Sequence, residues 1–281
     1  MPRRLRLDAE LVRRRLARSR EHAAELIHQG RVKVAGAVAP KPATGVTTDV
    51  AIVVAENPQI PGGEDYASRG GHKLAGALAA FEPLGLVVEG RRCLDAGAST
   101  GGFTDVLLRH GAAEVVAVDV GYGQLAWRLQ QDGRVQVRDR TNVRELTAEL
   151  IGGPVDLVVG DLSFISLALV LDALLGVTID DGDLALMVKP QFEVGKDRVG
   201  KGGVVRDPAL RAEAVQGVVA AAGARGWGAR AVATSRLPGP SGNVEFFVWL
   251  RRGQGVIGRD EVRAATEGDA SAGAASERVG P

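Results

Sequence analysis

A short apolar strand that ends in an acid and passes directly into a glycine-rich turn constrains this chain most. Residues 91–102 read Arg-Arg-Cys-Leu-Asp-Ala-Gly-Ala-Ser-Thr-Gly-Gly, and a helix-like apolar stretch begins at Phe103. Glycine lets a backbone turn sharply and lets a ligand approach it closely. Strand, acid, turn and helix together predict the first unit of an open α/β sheet, whose ligand lies beyond the carboxyl ends of the strands.

The spacing of the glycines indicates which ligand this turn would bind. Three residues separate Gly97 from Gly101, so the G-x-G-x-x-G pattern of dinucleotide sites is not met. An acid two residues before the first glycine, followed by small residues, resembles the first motif of S-adenosylmethionine (SAM) methyltransferases. A tight turn without a ligand is the alternative. The resemblance implies SAM contacts from Asp95, Gly97, Ala98, Ser99, Thr100, Gly101 and Phe103.

Polar residues after the next two strands extend this predicted nucleoside site. Asp119 closes the second strand about twenty residues after the turn, where an acid can accept hydrogen bonds from ribose hydroxyls. That feature serves NAD and SAM sites alike. Asp139 and Asn142 follow the third strand, and they either reach the adenine edge or cap the next helix.

Cysteine content and hydropathy limit the class of protein. A single cysteine excludes a disulfide framework and a four-cysteine zinc site, and it fits a reducing, cytoplasmic setting. The N-terminus is arginine-rich but lacks the apolar segment of a signal peptide. The most apolar stretch, residues 165–177, is too short to span a bilayer and contains Asp172. We therefore expect a cytoplasmic protein with neither a membrane partner nor a bound metal.

Charge is distributed unevenly along the chain. Residues 1–41 contain eleven Lys/Arg against four Asp/Glu, although the whole chain has a net charge of only +1. Such asymmetry suggests that the N-terminal end faces nucleic acid. A solvated surface with no partner is the alternative.

The N-terminal segment carries a helix–helix–strand pattern. The spacing predicts a helix over residues 3–16 with Asp8 as its N-cap, a second helix from Ser19 to Gly30 and a strand over residues 31–34. The residues from Arg6 to Gly36 resemble the S4 RNA-binding domain. The resemblance implies RNA contacts from the basic side chains Arg3, Arg4, Arg6, Arg13, Arg14, Arg18, Arg20, Arg31 and Lys41.

Composition divides the chain into domains. We expect a small α+β S4 domain over residues 1–56, a Pro/Gly-rich linker over 57–65, a second domain over 66–253 and a disordered tail over 254–281. The second domain opens with an apolar helix from Leu74, which would put Lys73 in its first turn. A lysine is poorly placed at the positive end of a helix, so this position hints at function.

Strands and helices alternate through the second domain. Strands are predicted near residues 91–96, 114–119, 134–138, 155–160, 184–189, 229–236 and 244–250. Helices are predicted over 124–129, 144–151, 167–175 and 209–222, with a long loop over 190–206. The loop between the last two strands is too short for a crossover helix, so these strands must be antiparallel. Such a seven-stranded, Rossmann-like sheet with a reversed last strand resembles the SAM-methyltransferase fold.

The segment after the fourth predicted strand bears on the methyl acceptor. It reads Asp161-Leu-Ser-Phe, without the two prolines found in methyltransferases of exocyclic amino groups. Cys93 lies in the wrong strand for the covalent mechanism used on pyrimidine C5. Neither a base amine nor a pyrimidine carbon is therefore the expected acceptor.

Four charged residues at strand ends and a helix start resemble the catalytic set of the FtsJ-like (RrmJ-type) RNA ribose 2′-O-methyltransferases. These are Lys73, Asp161, Lys189 and Glu245. A ribose hydroxyl is a weak nucleophile, so the enzyme must align it with the methyl group and remove its proton. Crowding by a second lysine favours a neutral amine, which makes Lys189 a candidate base. The two acids oppose that effect, so Lys189 could instead only position the hydroxyl.

The order of S4 domain, linker and FtsJ-like domain resembles the TlyA family across about residues 3–252. The sequence motifs that carry this resemblance include Leu-Asp-Ala-Gly-Ala-Ser-Thr-Gly-Gly-Phe-Thr and Lys-Pro-Gln-Phe-Glu-Val-Gly-Lys. The resemblance implies SAM-dependent 2′-O-methylation of cytidine in 16S and/or 23S ribosomal RNA, with rRNA or ribosomal subunits as partners. It also implies a link to sensitivity to capreomycin-type antibiotics.

Other classes of function stay open at this point. One is a membrane-active haemolysin, a name that the family has also carried. Another is a non-catalytic RNA-binding factor of ribosome assembly. An NAD oxidoreductase is the weakest of these, because the glycine spacing does not suit it.

Overall fold

The structure, a computed structural model, describes residues 4–14, 16–17, 20–28, 30–55, 66–239 and 241–267. The chain divides into two compact units, Met1–Glu64 and Asp65–Pro281. The predicted linker over residues 57–65 lies outside the described residues, as do Arg3, Arg18 and the predicted cap Ser19.

The first unit combines two helices with short antiparallel strands. Strand β1 pairs with β4, and β2 pairs with both β3 and β5. The helices bury Leu7, Leu11, Ala23, Leu26 and Ile27 against these strands. In chain order the elements are β1 (Leu5–Arg6), α1 (Leu7–Arg13), α2 (Arg20–His28), β2 (Val32–Val34), β3 (Ala37–Val38), β4 (Gly45–Val46) and β5 (Ile52–Val54).

The predicted start of the first helix is wrong. Helix α1 begins at Leu7, a short strand precedes it, and Arg6 occupies the N-cap position. The carboxylate of Asp8 instead accepts hydrogen bonds from the side chains of Arg6 and Arg20. Helix α2 ends as predicted, because Gly30 adopts a positive φ of 69° that favours glycine.

The second unit is a sheet with helices on both faces. In chain order the elements are α3 (Arg69–Phe81), β6 (Arg92–Ala96), α4 (Gly102–Arg109), β7 (Glu114–Val118), α5 (Trp127–Gln130), β8 (Val135–Arg138), β9 (Val155–Gly160), α6 (Leu171–Gly176), β10 (Thr178–Val188), α7 (Pro190–Glu193), α8 (Pro208–Gly223), β11 (Trp227–Thr234), β12 (Phe246–Arg252) and α9 (Arg259–Glu267).

The strand order confirms the predicted methyltransferase-type sheet. The seven strands run β11-β12-β10-β9-β6-β7-β8, and β12 is antiparallel to both of its neighbours. Successive residues face opposite sides, so Cys93 packs in one apolar core and Leu94 in the other. Helices α3 and α4 cover the first core, whereas α6 and α8 cover the second. The carboxyl ends of the parallel strands therefore form one shared edge.

Three local predictions in this unit are wrong. Residues 144–151 form no α-helix and contain only a short 3-10 turn, Val143–Glu145. The predicted loop over 190–206 begins with helix α7. The tail contains helix α9, which buries Val262 and packs against α8 and β11. Residues 268–281 lie outside the described residues. Among the helices that the structure describes, none is long and apolar enough to cross a bilayer.

Candidate active site

A cavity of about 450 Å³ lies at the carboxyl edge of the sheet. Loops that follow strands β6, β7 and β9 form most of its wall, with Asn142 contributed by the segment after β8. This is where an open α/β sheet binds its ligand. Its lining residues are Gly97, Ser99, Asp119, Val120, Gln124, Asn142, Val143, Asp161, Leu162, Ser163, Phe164, Ile165 and Val170.

The glycine turn after β6 packs closely against the loop after β9. Gly97 has a φ of 86°, and a Cβ atom there would lie 3.0 Å from the carbonyl oxygen of Asp161. The same atom would lie 3.2 Å from the Leu162 side chain. Only glycine fits this position without displacing the backbone that carries Asp161.

Asp95 lies fully buried beneath that turn. Its Oδ2 atom accepts hydrogen bonds from the backbone nitrogen (2.8 Å) and the hydroxyl (2.7 Å) of Thr104. Its Oδ1 atom is buried and has no hydrogen-bond partner among the described residues. Burial, with smaller contributions from Asp161 and Asp119, raises the pKa of Asp95 to about 7. Thr104 was missed at the sequence level because a helical threonine carries no distinctive signal.

Asp119 and Asn142, which the sequence pattern assigns to a nucleoside site, both line the cavity. Asp119 accepts hydrogen bonds from the backbone nitrogens of Ser99 (2.8 Å) and Gly121 (2.7 Å), which hold its carboxylate at the end of β7. Asn142 also accepts a hydrogen bond from the Arg144 nitrogen, so it caps the following 3-10 turn. Capping of this turn and contact with the adenine edge are therefore compatible roles for Asn142.

Several predicted cofactor residues do not line this cavity. Asp139 accepts a hydrogen bond from the Gly123 nitrogen (2.8 Å) and so holds the loop after β7. Phe103 is buried against Phe247, with ring centroids 5.9 Å apart. In the described part of the chain, Ala98, Thr100 and Gly101 belong to the turn but are likewise absent from the cavity wall. In a sequence, an apolar residue at the start of a helix, such as Phe103, gives no signal that distinguishes core packing from contact with a ligand.

Lys73 and Glu245 form a buried ion pair. Lys73 Nζ donates a hydrogen bond to Glu245 Oε2 at 2.5 Å, and the two side chains are 9% and 1% exposed. Lys73 is the fifth residue of α3, because that helix begins at Arg69. The predicted position in the first turn is therefore wrong, and a clash with the helix dipole does not explain this lysine.

Lys189 and Asp161 form the second amine–carboxylate pair. Lys189 Nζ lies 2.6 Å from Asp161 Oδ1, in an ion pair whose angles fall outside hydrogen-bond geometry. The same amine donates a hydrogen bond to Ser163 Oγ at 2.7 Å. Ser163 was missed as a contact of Lys189, although the Asp161-Leu-Ser-Phe phrase contains it.

Strand register brings the two pairs together. Val188 of β10 is paired with Phe246 of the antiparallel strand β12. The next residues outward are Lys189 and Glu245, and such neighbours have Cα atoms about 5 Å apart. Asp161, Lys189, Glu245 and Lys73 therefore follow one another along the carboxyl edge. The structure assembles all four predicted catalytic residues at one place, beside the wall of the cavity.

The predicted RNA-contacting side chains of the first unit differ in their surroundings. Arg4 and Lys41 are exposed, and Arg31 donates a hydrogen bond to the Ala55 carbonyl. Arg13 pairs with Glu10 but stays 56% exposed. Arg14 pairs with Glu10 and also donates hydrogen bonds to the carbonyls of Val50 and Thr48. Arg14 is therefore placed to hold the unit together, whereas its neighbour Arg13 faces solvent.

Comparison with known proteins matches both units. An FtsJ-like methyltransferase family model matches residues 66–252, and an S4 domain model matches residues 5–52. The 16S/23S rRNA (cytidine-2′-O)-methyltransferase TlyA of Mycobacterium tuberculosis is 61% identical over 251 residues, which cover 89% of this chain and 91% of that protein. Hemolysin A of Brachyspira hyodysenteriae is 33% identical, over 86% of this chain and 98% of its own.

Solved structures agree with these matches. A Streptococcus thermophilus protein described as a hemolysin has a TM-score of 0.76 at 32% identity, and covers 99% of this chain and 100% of its own. A Lactococcus lactis protein described in the same way has a TM-score of 0.67 at 37% identity, and covers 73% of this chain and 98% of its own. The sequence and fold thus agree over both units: this chain belongs to the TlyA family of FtsJ-like methyltransferases with an N-terminal S4 domain.

Proposed function

We propose that this protein transfers the methyl group of SAM to the ribose 2′ oxygen of a cytidine in 16S and/or 23S ribosomal RNA. Free rRNA and ribosomal subunits are the candidate substrates. The observation that carries the proposal is the row of two amine–carboxylate pairs beside the cavity, Lys73 with Glu245 and Lys189 with Asp161. The 61% identity to an enzyme named for this reaction supports the choice of acceptor.

The charge of the cavity fits SAM. Asp119 and Asp161 line it, and the unpartnered Oδ1 atom of Asp95 lies buried under its glycine turn. Burial and, to a smaller extent, the charges of Asp161 and Asp119 raise the pKa of Asp95, and a ligand with positive sulfonium and ammonium groups would favour its ionised form. In this proposal the ammonium group lies near Asp95 and Gly97.

The remaining polar groups of the wall suit the nucleoside of SAM. Asp119 is held by two backbone nitrogens and is placed to accept hydrogen bonds from ribose hydroxyls. Asn142 borders the same cavity and would reach the adenine edge. Ser99 adopts a φ of 46°, a strained conformation of the kind found at binding sites, and its side chain is exposed on the cavity wall.

SAM supplies a methyl group that its sulfonium already activates, so the protein's task concerns the acceptor oxygen. As a neutral amine, Lys189 would take the proton of the 2′ hydroxyl; as an ammonium, it would instead hold that hydroxyl in line with the methyl group. Lys73 would donate a hydrogen bond to the same oxygen. Asp161 and Glu245 orient the two amines through the contacts at 2.6 Å and 2.5 Å. Both lysines are buried, which limits their motion.

The first unit would hold the RNA. Its exposed arginines and lysine can neutralise phosphates, which supplies much of the affinity of proteins for nucleic acid. The described side chains proposed for this role are Arg4, Arg6, Arg13, Arg20, Arg31 and Lys41.

The test is transfer of tritiated methyl groups from SAM to purified 16S rRNA, 23S rRNA, and the two ribosomal subunits. Incorporation that requires Lys189 supports the proposal. Absence of incorporation into every one of these substrates by folded, SAM-binding protein would overturn it. Lysis of red cells by the purified protein without SAM would instead favour the membrane-active alternative.

A further inference from the structure

Two exposed arginines of the first unit share one buried carboxylate. Asp8 Oδ1 accepts a hydrogen bond from Arg6 Nε (3.1 Å), and its Oδ2 accepts from Arg6 Nη2 (2.8 Å) and Arg20 Nη2 (3.0 Å). The side chains of Arg6 and Arg20 are 53% and 56% exposed, whereas that of Asp8 is 6% exposed. The acid thus lies beneath the surface that the two guanidinium groups present.

The position of Asp8 is itself fixed. Its backbone nitrogen donates a hydrogen bond to the Pro42 carbonyl (3.1 Å), and its Oδ1 accepts one from the Ala9 nitrogen (2.8 Å). The paired arginines hold the pKa of Asp8 down at about 2, so the carboxylate stays ionised at neutral pH. A fixed charge therefore joins Arg6 on β1 to Arg20 at the start of α2.

We propose that Asp8 is a positioning residue that holds Arg6 and Arg20 side by side as a preformed phosphate-binding face for RNA. The inference rests on the proposed function, since it takes rRNA as the partner. A guanidinium group has five N–H donors, and Arg6 uses two of them on Asp8. The remaining N–H donors can form hydrogen bonds to phosphate oxygens. Long side chains that are already ordered lose less entropy on binding.

Glu10 provides a contrast within the same helix. It is fully buried and pairs with Arg13 and Arg14, but Arg14 is only 21% exposed and also donates to backbone carbonyls. Glu10 therefore joins one exposed arginine to one covered arginine. Among the described acids of the first unit, Asp8 is the one that joins two exposed arginines.

The effect of Asp8→Asn on RNA affinity distinguishes a positioning role from a simple effect of net charge. Loss of a negative charge near a phosphate-binding face should strengthen RNA binding if charge alone mattered. If Asp8 orders the arginines, Asp8→Asn weakens binding about threefold to tenfold, the loss expected when one or two side chains must be ordered on association. Asp49→Asn is the matched control, because Asp49 is an exposed acid of the same unit.

The experiment uses the full chain and transcribed 16S and 23S rRNA. Filter binding gives Kd for each RNA, and methyl transfer gives KM for RNA separately from kcat. We expect Asp8→Asn to raise Kd and KM and to leave kcat and SAM affinity unchanged, while Asp49→Asn binds as tightly as the parent or more tightly. Equal or tighter binding by Asp8→Asn would overturn the inference. Failure of the unaltered chain to bind either RNA would instead count against the proposed function.

Two further variants test whether Asp8 acts through the two arginines. Arg6→Lys retains the charge but cannot make the forked contact with Asp8, so it should raise Kd about threefold. In a chain that already lacks both arginines (Arg6→Gln with Arg20→Gln), Asp8→Asn should have no further effect on RNA binding. An additional loss in that background would show that Asp8 affects RNA binding by a route other than Arg6 and Arg20, and would contradict its positioning role.

Discussion

Lys73 and Glu245 are 172 residues apart in the sequence, yet Nζ of one lies 2.5 Å from Oε2 of the other. The pair joins the first helix of the methyltransferase unit to the start of its last strand. Cross-strand register then places Glu245 beside Lys189, whose own partner is Asp161. The proposed chemistry therefore depends on contacts between segments from the whole length of this unit.

Substitution of Lys189 tests its role in proton removal. We expect Lys189→Ala to lower kcat for methyl transfer at least about a hundredfold, the usual range for loss of a general base. Affinity for SAM, measured by calorimetry, should change by less than about threefold, because Lys189 is assigned to the acceptor. Near-full turnover by this variant would refute the assignment. Lys196→Ala is the control, since Lys196 is an exposed lysine of the following loop.

Lys189→Arg separates the two roles left open for this residue. Arginine keeps the charge and the donors but does not lose its proton in proteins. If Lys189 is the base, Lys189→Arg should be as slow as Lys189→Ala in single-turnover kinetics. A residual rate more than about tenfold above that of Lys189→Ala would assign it to positioning instead.

Loss of Glu245 should destabilise the second unit. Glu245→Gln leaves the buried Lys73 amine without a counter-charge, which costs about 3 kcal/mol of unfolding free energy. Asp172→Asn breaks the Arg225–Asp172 pair, in which the acid is 79% exposed, and should cost less than about 1 kcal/mol. Urea unfolding followed by tryptophan fluorescence suits this comparison, because Trp127, Trp227 and Trp249 all lie in the second unit. Equal midpoints for the two variants would contradict the prediction.

The buried Asp95 should make stability depend on pH. Burial raises its pKa to about 7 in the folded chain, from about 3.9 in an unfolded chain. The folded state then holds this proton more tightly, so its contribution to stability is full below about pH 4 and is lost as pH rises through about 7. Asp95→Asn should therefore gain stability relative to the parent by up to about 2 kcal/mol between pH 5 and pH 7. A difference that stays constant across urea titrations at these pH values would exclude the raised pKa.

Two glycine substitutions test how closely the turn packs on the catalytic loop. Gly97→Ala places a Cβ atom 3.0 Å from the Asp161 carbonyl oxygen, so we expect SAM affinity to fall at least about tenfold and kcat to fall with it. Gly90→Ala is the matched control, since Gly90 also has a positive φ, of 72°, but no other atom lies within 4 Å of its Cβ position. That control should lose only about 1 kcal/mol of stability. Comparable losses of SAM affinity in both variants would show that backbone strain, and not contact with Asp161, is responsible.

Periodicity in the sequence was sufficient to predict the sheet. Long apolar strands such as Val155–Gly160 alternate with helices, and the short loop before Phe246 forces the last strand to run antiparallel. The four residues proposed for catalysis were selected by their resemblance to the FtsJ-like set. Three of them, Asp161, Lys189 and Glu245, directly follow or precede a strand. The rule that parallel strands share one carboxyl edge groups Asp161 with Lys189. Glu245 joins them through the antiparallel register of β12, and Lys73 through its contact with Glu245.

Features that depend on tertiary contacts were not predictable. Asp8 is of a residue type that is common at N-caps, but its carboxylate instead accepts hydrogen bonds from the side chains of Arg6 and Arg20. Helix α9 is mostly polar, and its packing on α8 and β11, with Val262 buried, marks it as part of the fold. Phe103 follows the glycine turn in sequence, yet its ring points into the core and away from the cavity. For helix α9 and Phe103 the deciding partner lies far along the chain, whereas Asp8 is held by arginines two and twelve residues away.

The position of the transferred methyl group distinguishes ribose methylation from base methylation. rRNA incubated with the protein and SAM carrying a trideuterated methyl group is digested to nucleosides, which are then fragmented in a mass spectrometer. We expect labelled cytidine whose base fragment is unlabelled, so that the label resides on the ribose, and labelling by Lys189→Ala that is at least about a hundredfold slower. Label on a base fragment, or equal labelling of the ribose by Lys189→Ala, would contradict the account.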